Sequence, residues 1–176
     1  YHIAHEDPET LFMTPQDMLE KVRQHRESIG LAFTYNEPTV WYEYVLDTAQ
    51  LIKSEMPEKK IVLVTNGYIN PEPLKKLLPY IDAMNIDLKG DNEFYKSICS
   101  GGSKAVMESI RLAYEMGVHV EVSTLIVGER NSDEKTLTEI GEFIKSVNPD
   151  ITLHISRYFP CYRMNDPSTD IATMKK

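Results

Sequence analysis

Cysteine is nearly missing from this chain: Cys99 and Cys161 are its only two in 176 residues, too few for a secreted disulfide framework. Long apolar runs are missing as well. The longest, such as Ile61 to Val64 and the hydroxyl-interrupted Val122 to Val127, fall far short of the roughly 20 residues a membrane span requires. Basic charge is scarce, with 19 Lys plus Arg against 27 Asp plus Glu and a net charge of -8. No basic surface is available to grip a phosphate backbone, so nucleic acid is not an expected partner. No basic segment leads into an apolar stretch at the start, and a cytoplasmic location is expected. The chain opens Tyr1-His2-Ile3 without an initiator methionine, which reads as a segment that has lost an upstream part. What is present is 41% hydrophobic residues, enough for one continuous core, and a single domain over residues 1–176 is expected.

Thr14-Pro15 has the form of an N-cap followed by proline at the first helical position, and the pattern predicts a helix to about Glu27. Apolar, β-prone runs then alternate with helical patterns. Strands are expected at Ile29 to Phe33, Ile61 to Thr65, Ala83 to Leu88, Val118 to Ile126 and Ile151 to Ser156. Helices are expected at about 39–55, after Pro71, from the Gly101-Gly102 turn to Met116, and at about 133–147, with an irregular tail from Tyr158. Five alternations with no hairpin signal between strands imply parallel strands joined by crossover helices, an α/β fold.

Strand parity adds detail, because alternate side chains point to opposite faces. Ala83, Asn85 and Asp87 oppose Met84, Ile86 and Leu88, and His119, Glu121 and Ser123 oppose the valines between them. Thr152, His154 and Ser156 oppose Leu153 and Ile155, and Ser28, Gly30, Ala32 and Thr34 oppose Ile29, Leu31 and Phe33. Only Ile61 to Val64 is apolar on both faces. The bulky face belongs under the helices, so the polar face looks into a lumen or groove. A closed eight-stranded barrel fills that interior with branched apolar residues, which is not the pattern here. An open or partial barrel around a polar ligand fits better than a two-layer sheet with one face in water.

Ligands of parallel βα folds gather at the carboxyl ends of the strands. Those ends read Thr34-Tyr35-Asn36-Glu37-Pro38, then Thr65-Asn66-Gly67, then Asn85, Asp87 and Lys89 at spacing two, then Ser123-Thr124, then His154, Ser156 and Arg157. Each has a plain structural alternative: Asn36 or Glu37 as a helix cap, Asn66-Gly67 as a turn, Asp87 and Lys89 as an inert ion pair. Their coincidence at five successive strand ends is what points to a site.

The runs Ala32-Phe33-Thr34-Tyr35-Asn36-Glu37-Pro38-Thr39, Val64-Thr65-Asn66-Gly67-Tyr68, Ile81 to Gly90 and His154-Ile155-Ser156-Arg157-Tyr158-Phe159-Pro160, in this order, resemble radical SAM proteins related to pyruvate formate-lyase activating enzyme. Among these the chain most resembles the AmmeMemoRadiSam-system radical SAM enzymes, over about residues 14–162. The resemblance implies a partial (β/α) barrel of parallel strands whose ends bind S-adenosylmethionine beside a 4Fe-4S cluster. The complete enzyme would cleave S-adenosylmethionine reductively and generate a 5'-deoxyadenosyl radical for hydrogen abstraction. Tyr35, Asn36 and Glu37 stand where relatives hold the methionine amino group. Thr65, Asn66, Asp87 and Lys89 match the strand ends that contact ribose and methionine carboxylate. Ser123 falls at a contact from the family's fifth strand that is arginine in some relatives, and Phe159 where relatives place a histidine against adenine. An electron donor such as flavodoxin or ferredoxin is implied, and a protein substrate, through activation of a glycyl radical or otherwise, is among the implied targets.

The chain also departs from the pattern. Val64 replaces the aspartate that helps hold a cation in pyruvate formate-lyase activating enzymes, and Val127-Gly128 lacks the family's proline. There is no CxxxCxxC motif. In the family that loop follows the first strand, so the expectation is a core whose first βα unit, with its cluster loop, is missing and whose cluster ligands lie outside this segment. Two other classes stay open: a Schiff-base aldolase using Lys89 as nucleophile, and a non-catalytic binding module.

Overall fold

The first helix begins as its sequence dictates. Thr14 accepts a hydrogen bond from the Asp17 amide at 3.2 Å, the Asp17 carboxylate accepts one from the Thr14 amide at 2.8 Å, and Pro15 follows at N1. This computed structural model describes residues 10–175. Helix α1 (Pro15–Gln24) stops short of the expected Glu27. The cause lies across the sheet: the buried Lys59 ammonium donates to the carbonyls of Arg26 at 3.2 Å and Ser28 at 2.6 Å, turning that segment into β1.

From there strands and helices alternate: β1 (Gly30–Phe33), a 3-10 turn (Pro38–Trp41) entering α2 (Tyr42–Glu55), β2 (Lys60–Thr65), α3 (Pro71–Leu77) and β3 (Ala83–Asp87). A helical turn (Asn92–Phe94) running into a π turn (Tyr95–Cys99) comes next, then α4 (Ser103–Glu115), β4 (His119–Ile126), α5 (Glu134–Val147) and β5 (Thr152–Arg157). The helical segment at 92–99 is absent from the sequence expectation, because it is too short to show a period. The five strands are all parallel and lie in the order β1-β2-β3-β4-β5, an open sheet rather than a closed barrel. Each crossover steps to the next strand, and helices α1 to α5 all bury residues in one core cluster against the sheet. At Gly30 an added Cβ would lie 1.8 Å from the Lys60 carbonyl oxygen, so only glycine permits the approach of β1 to β2.

One core forms between the sheet and its helices, where Ile61, Ile86 and Val122 meet Ile52, Leu74 and Ile110, all essentially inaccessible. Each contributes about 2 kcal/mol of burial. Parity is as expected on β3 and β4: Met84, Ile86, Val120 and Val122 are buried while Asn85, Asp87, Glu121 and Ser123 face the open side. On the edge strand β1 it holds as well, with Phe33 buried and Leu31 packed against the core, while Ile29 precedes the strand and is 80% exposed. On β5 Leu153 packs against the core but Ile155 is 53% exposed, since an edge strand has a neighbour on one side only and the helical cover thins there. The tail is irregular as expected, yet anchored. Thr169 is buried, its hydroxyl donates to the Ile126 carbonyl at 2.6 Å and accepts from the Gly128 amide at 3.0 Å, and Arg157 donates to its carbonyl. Among the described residues no helix is long and apolar enough to cross a membrane.

Candidate functional site

With all strands parallel, the loops after β1, β2 and β3 open at one end of the sheet. There they enclose a cavity of about 440 Å³ lined by Thr34, Tyr35, Asn36, Glu37, Val64, Thr65, Asn66, Asp87 and Lys89. This size suits a small polar molecule. Seven of the nine residues singled out from the sequence therefore share one space; Ser123 and Phe159 do not line it. A larger depression of about 830 Å³ sits between α1 and the start of β1, at the other end of that strand, where it faces Met13, Met18 and Val22.

Glu37 is the hub of the cavity. Its Oε1 accepts from the Thr39 amide at 3.1 Å, the Thr39 hydroxyl at 2.8 Å and the Thr65 hydroxyl at 2.6 Å, and its Oε2 accepts from the Asn66 amide at 2.7 Å. The helix-cap reading is thus realised, and the same carboxylate clamps the β1 loop to the end of β2. Oε1 is saturated, whereas Oε2 takes a single donor and keeps acceptor capacity for a cation. The Tyr35–Asn36 peptide within this loop is cis. Asn66 closes its own turn by accepting from the Tyr68 amide at 2.7 Å. Gly67 follows at φ +67°, where a Cβ would stand 2.6 Å from Ile86 Cγ2, so the turn needs glycine both for its conformation and for its room.

Asp87 and Lys89, two residues apart on one face, form an ion pair at 2.6 Å with side chains 40% and 36% exposed. Their backbone is pinned from behind. The Tyr95 hydroxyl donates to the Asp87 carbonyl at 3.1 Å and accepts from the Lys89 amide at 3.2 Å. Burial pushes the Tyr95 phenol up to about 12, so it stays protonated for that role. Fully buried Asn131 donates to the carbonyls of Lys89 at 2.7 Å and Leu125 at 2.8 Å while accepting from the Val127 amide at 2.7 Å. Neither Tyr95 nor Asn131 was signalled by the sequence, because each acts from a loop or short turn on a distant backbone. Thr34 and Val64 also line the cavity beyond the expected set; both follow from strand parity once the register Val64↔Asn85 is known.

Ser123 pairs in register with Asp87 and His154, and its hydroxyl donates to Asn85 Oδ1 at 2.8 Å. Phe159 stands apart, 59% exposed, with the Arg157 guanidinium 4.8 Å from its ring centre. Val64 presents a methyl surface where a cation site would need a carboxylate. Cys99 and Cys161 are both exposed, and among the described residues no group of three or more His, Cys, Asp or Glu could hold a metal ion. The described residues therefore do not fit a cluster that needs three thiolates. They do fit a molecule bearing both an ammonium and a carboxylate: Glu37 Oε2 has acceptor capacity, and two hydrogens of the Lys89 ammonium are not used by Asp87.

Residues 2–144 match the family model described as the Radical SAM superfamily. An uncharacterized protein of Methanocaldococcus jannaschii is 39% identical over 165 residues, covering 93% of this chain and 48% of that protein. The chain thus spans about half the length of the curated relative it matches. A domain of a pyruvate-formate lyase-activating enzyme from Bacteroides vulgatus aligns with a TM-score of 0.65 at 18% identity, over 83% of this chain and 88% of that one. SuiB from Streptococcus suis, solved bound to S-adenosylmethionine, aligns with a TM-score of 0.70 at 12% identity, over 94% of this chain and 38% of that one. At these identities the structural likeness shows the fold.

Proposed function

The chain belongs to the Radical SAM superfamily, and from that premise we propose that the cavity at the ends of β1, β2 and β3 holds S-adenosylmethionine as part of a larger radical SAM enzyme. One observation carries this reading: Glu37 from the loop after β1 and the Asp87–Lys89 pair from the end of β3 line a single cavity. In it Glu37 Oε2 takes the methionine ammonium, Lys89 the methionine carboxylate, and Asp87, beside Asn66, the ribose hydroxyls. The clamp of Glu37 on Thr65 and Asn66 holds the first two loops at fixed separation before the nucleotide arrives, which limits the ordering cost of binding. The iron-sulfur part of the reaction is assigned to residues outside those described. The target class proposed is a polypeptide: SuiB, alike in fold, has been solved bound to its precursor peptide SuiA, and the polar face of β4 and β5 lies open beside the cavity.

The Schiff-base reading loses ground on the same geometry. A lysine nucleophile needs a desolvated or cationic setting, and Lys89 is partly exposed and paired with a carboxylate.

The test is calorimetry of S-adenosylmethionine binding to the full-length protein carrying its cluster. Lys89→Met removes one charge-assisted contact, worth about 1.5–3 kcal/mol, so affinity is expected to fall roughly 10- to 100-fold. Unchanged affinity in that variant, or no binding by the unaltered protein, overturns the reading.

A further inference from the structure

A second polar cluster on the open face is left unused by the nucleotide. His119 and Glu121 alternate along β4, and His154 on β5 pairs with Ser123, two residues beyond the pairing of Glu121 with Thr152. The Glu121 carboxylate joins the two imidazoles: its Oε2 lies 2.8 Å from His154 Nε2 and its Oε1 3.4 Å from His119 Nε2. The histidines flank the carboxylate along the strand, so the three groups bridge rather than converge, and they are not a metal set.

What they form is a held imidazole. A carboxylate oxygen only accepts, so the proton of neutral His154 sits on Nε2 and its Nδ1 lone pair is left for another partner. The hydrogen bond from His154 comes first, and that from His119 second, in holding the Glu121 carboxyl below its ordinary value. Both hydrogen bonds therefore favour the charged form of Glu121. The position matters equally. Asp87, Ser123 and His154 form one row across three strands, and two inter-strand steps of about 4.8 Å put His154 roughly 10 Å from the cavity wall on the same face. The groups facing the cluster are Asn85 and Asp87 from β3, Ser123 from β4, and Thr152 and Ser156 from β5, with Lys89 paired to Asp87.

We propose that His154, oriented by Glu121, is the residue whose Nδ1 receives a hydrogen bond from an N–H or O–H group of the polypeptide target. Glu121 acts through His154 as a positioning residue. This rests on the nucleotide reading above, because only a nucleotide in the neighbouring cavity makes this row face the reacting end.

Two measurements on the isotope-labelled full-length protein test it. Carboxyl-detected NMR titration should find Glu121 below the ordinary glutamate range, and His154→Gln should move it upward. Titration with N-methylacetamide, an amide donor, should shift signals of His154, Thr152 and Ser156, whereas acetone, which cannot donate, should not, and His154→Gln should abolish the response. An unmoved Glu121 in the variant, an equal response to acetone, or no response to the amide overturns the proposal. Because the nucleotide reading is judged by Lys89→Met calorimetry, tight nucleotide binding with a silent His154 would defeat this inference alone.

Discussion

Glu37→Gln separates the structural duty of this residue from its duty to a ligand. The substitution keeps the side-chain shape but turns one oxygen into an amide donor. With Oε1 still serving Thr39 and Thr65, the new NH2 group faces the Asn66 amide, which approaches at 2.7 Å in the native clamp. One charge-assisted hydrogen bond is lost and a donor is left opposite a donor, for about 2 kcal/mol. In a protein of this size that is roughly 4–8 °C of melting temperature. Urea denaturation is the assay, run as a cycle with Thr65→Val, which removes another donor from the same carboxylate. Because both changes strike one network, the double variant should be less destabilised than the sum of the singles, with coupling of about 1 kcal/mol. Glu37→Gln melting like the native protein, with additive effects in the cycle, would refute the clamp.

Gly67→Ala should cost about 3 kcal/mol in the same denaturation assay, since a Cβ would meet Ile86 Cγ2 at 2.6 Å and Val106 Cγ1 at 3.2 Å in a left-handed backbone; a loss below 1 kcal/mol would argue against it. Acid stability should depend on Asp82. Burial alone would raise this carboxyl, but Lys53 at 2.6 Å, the Ile61 amide at 2.8 Å and Lys60 at 3.0 Å outweigh it and hold Asp82 below its ordinary value. Its contribution is therefore complete above the unfolded-state value near 3.9 and lost as pH falls through the lower folded value. Asp82→Asn should cost about 2 kcal/mol at pH 7 and flatten the loss of stability in the acid range; an unchanged acid slope would count against the network.

The alternation of runs was enough to read five parallel strands, and parity was enough to predict a polar open face on β3 and β4. The same rule did not foresee the exposure of Ile155 on the edge strand β5, because periodicity reports which face a side chain takes and not whether that face is covered. Short elements were invisible for a related reason. The turns at 92–99 offer too few residues for a period, yet they carry Tyr95, which pins Asp87 and Lys89. Asn131, one polar residue in a loop, gives no local sign that it joins β3 to β4.

The sequence alone determined the strand ends and the residue types standing at them, because both depend on local pattern: hydrophobic period, caps, and side chains of definite chemistry at fixed spacing. Tertiary structure decided which of those ends meet. Only the register of parallel neighbours sets Asp87 beside Ser123 and Ser123 beside His154, and only the clamp of Glu37 on β2 turns two loops into one cavity wall. Such pairings join residues far apart in the chain, and their distances come from packing the core, which no short stretch of sequence contains.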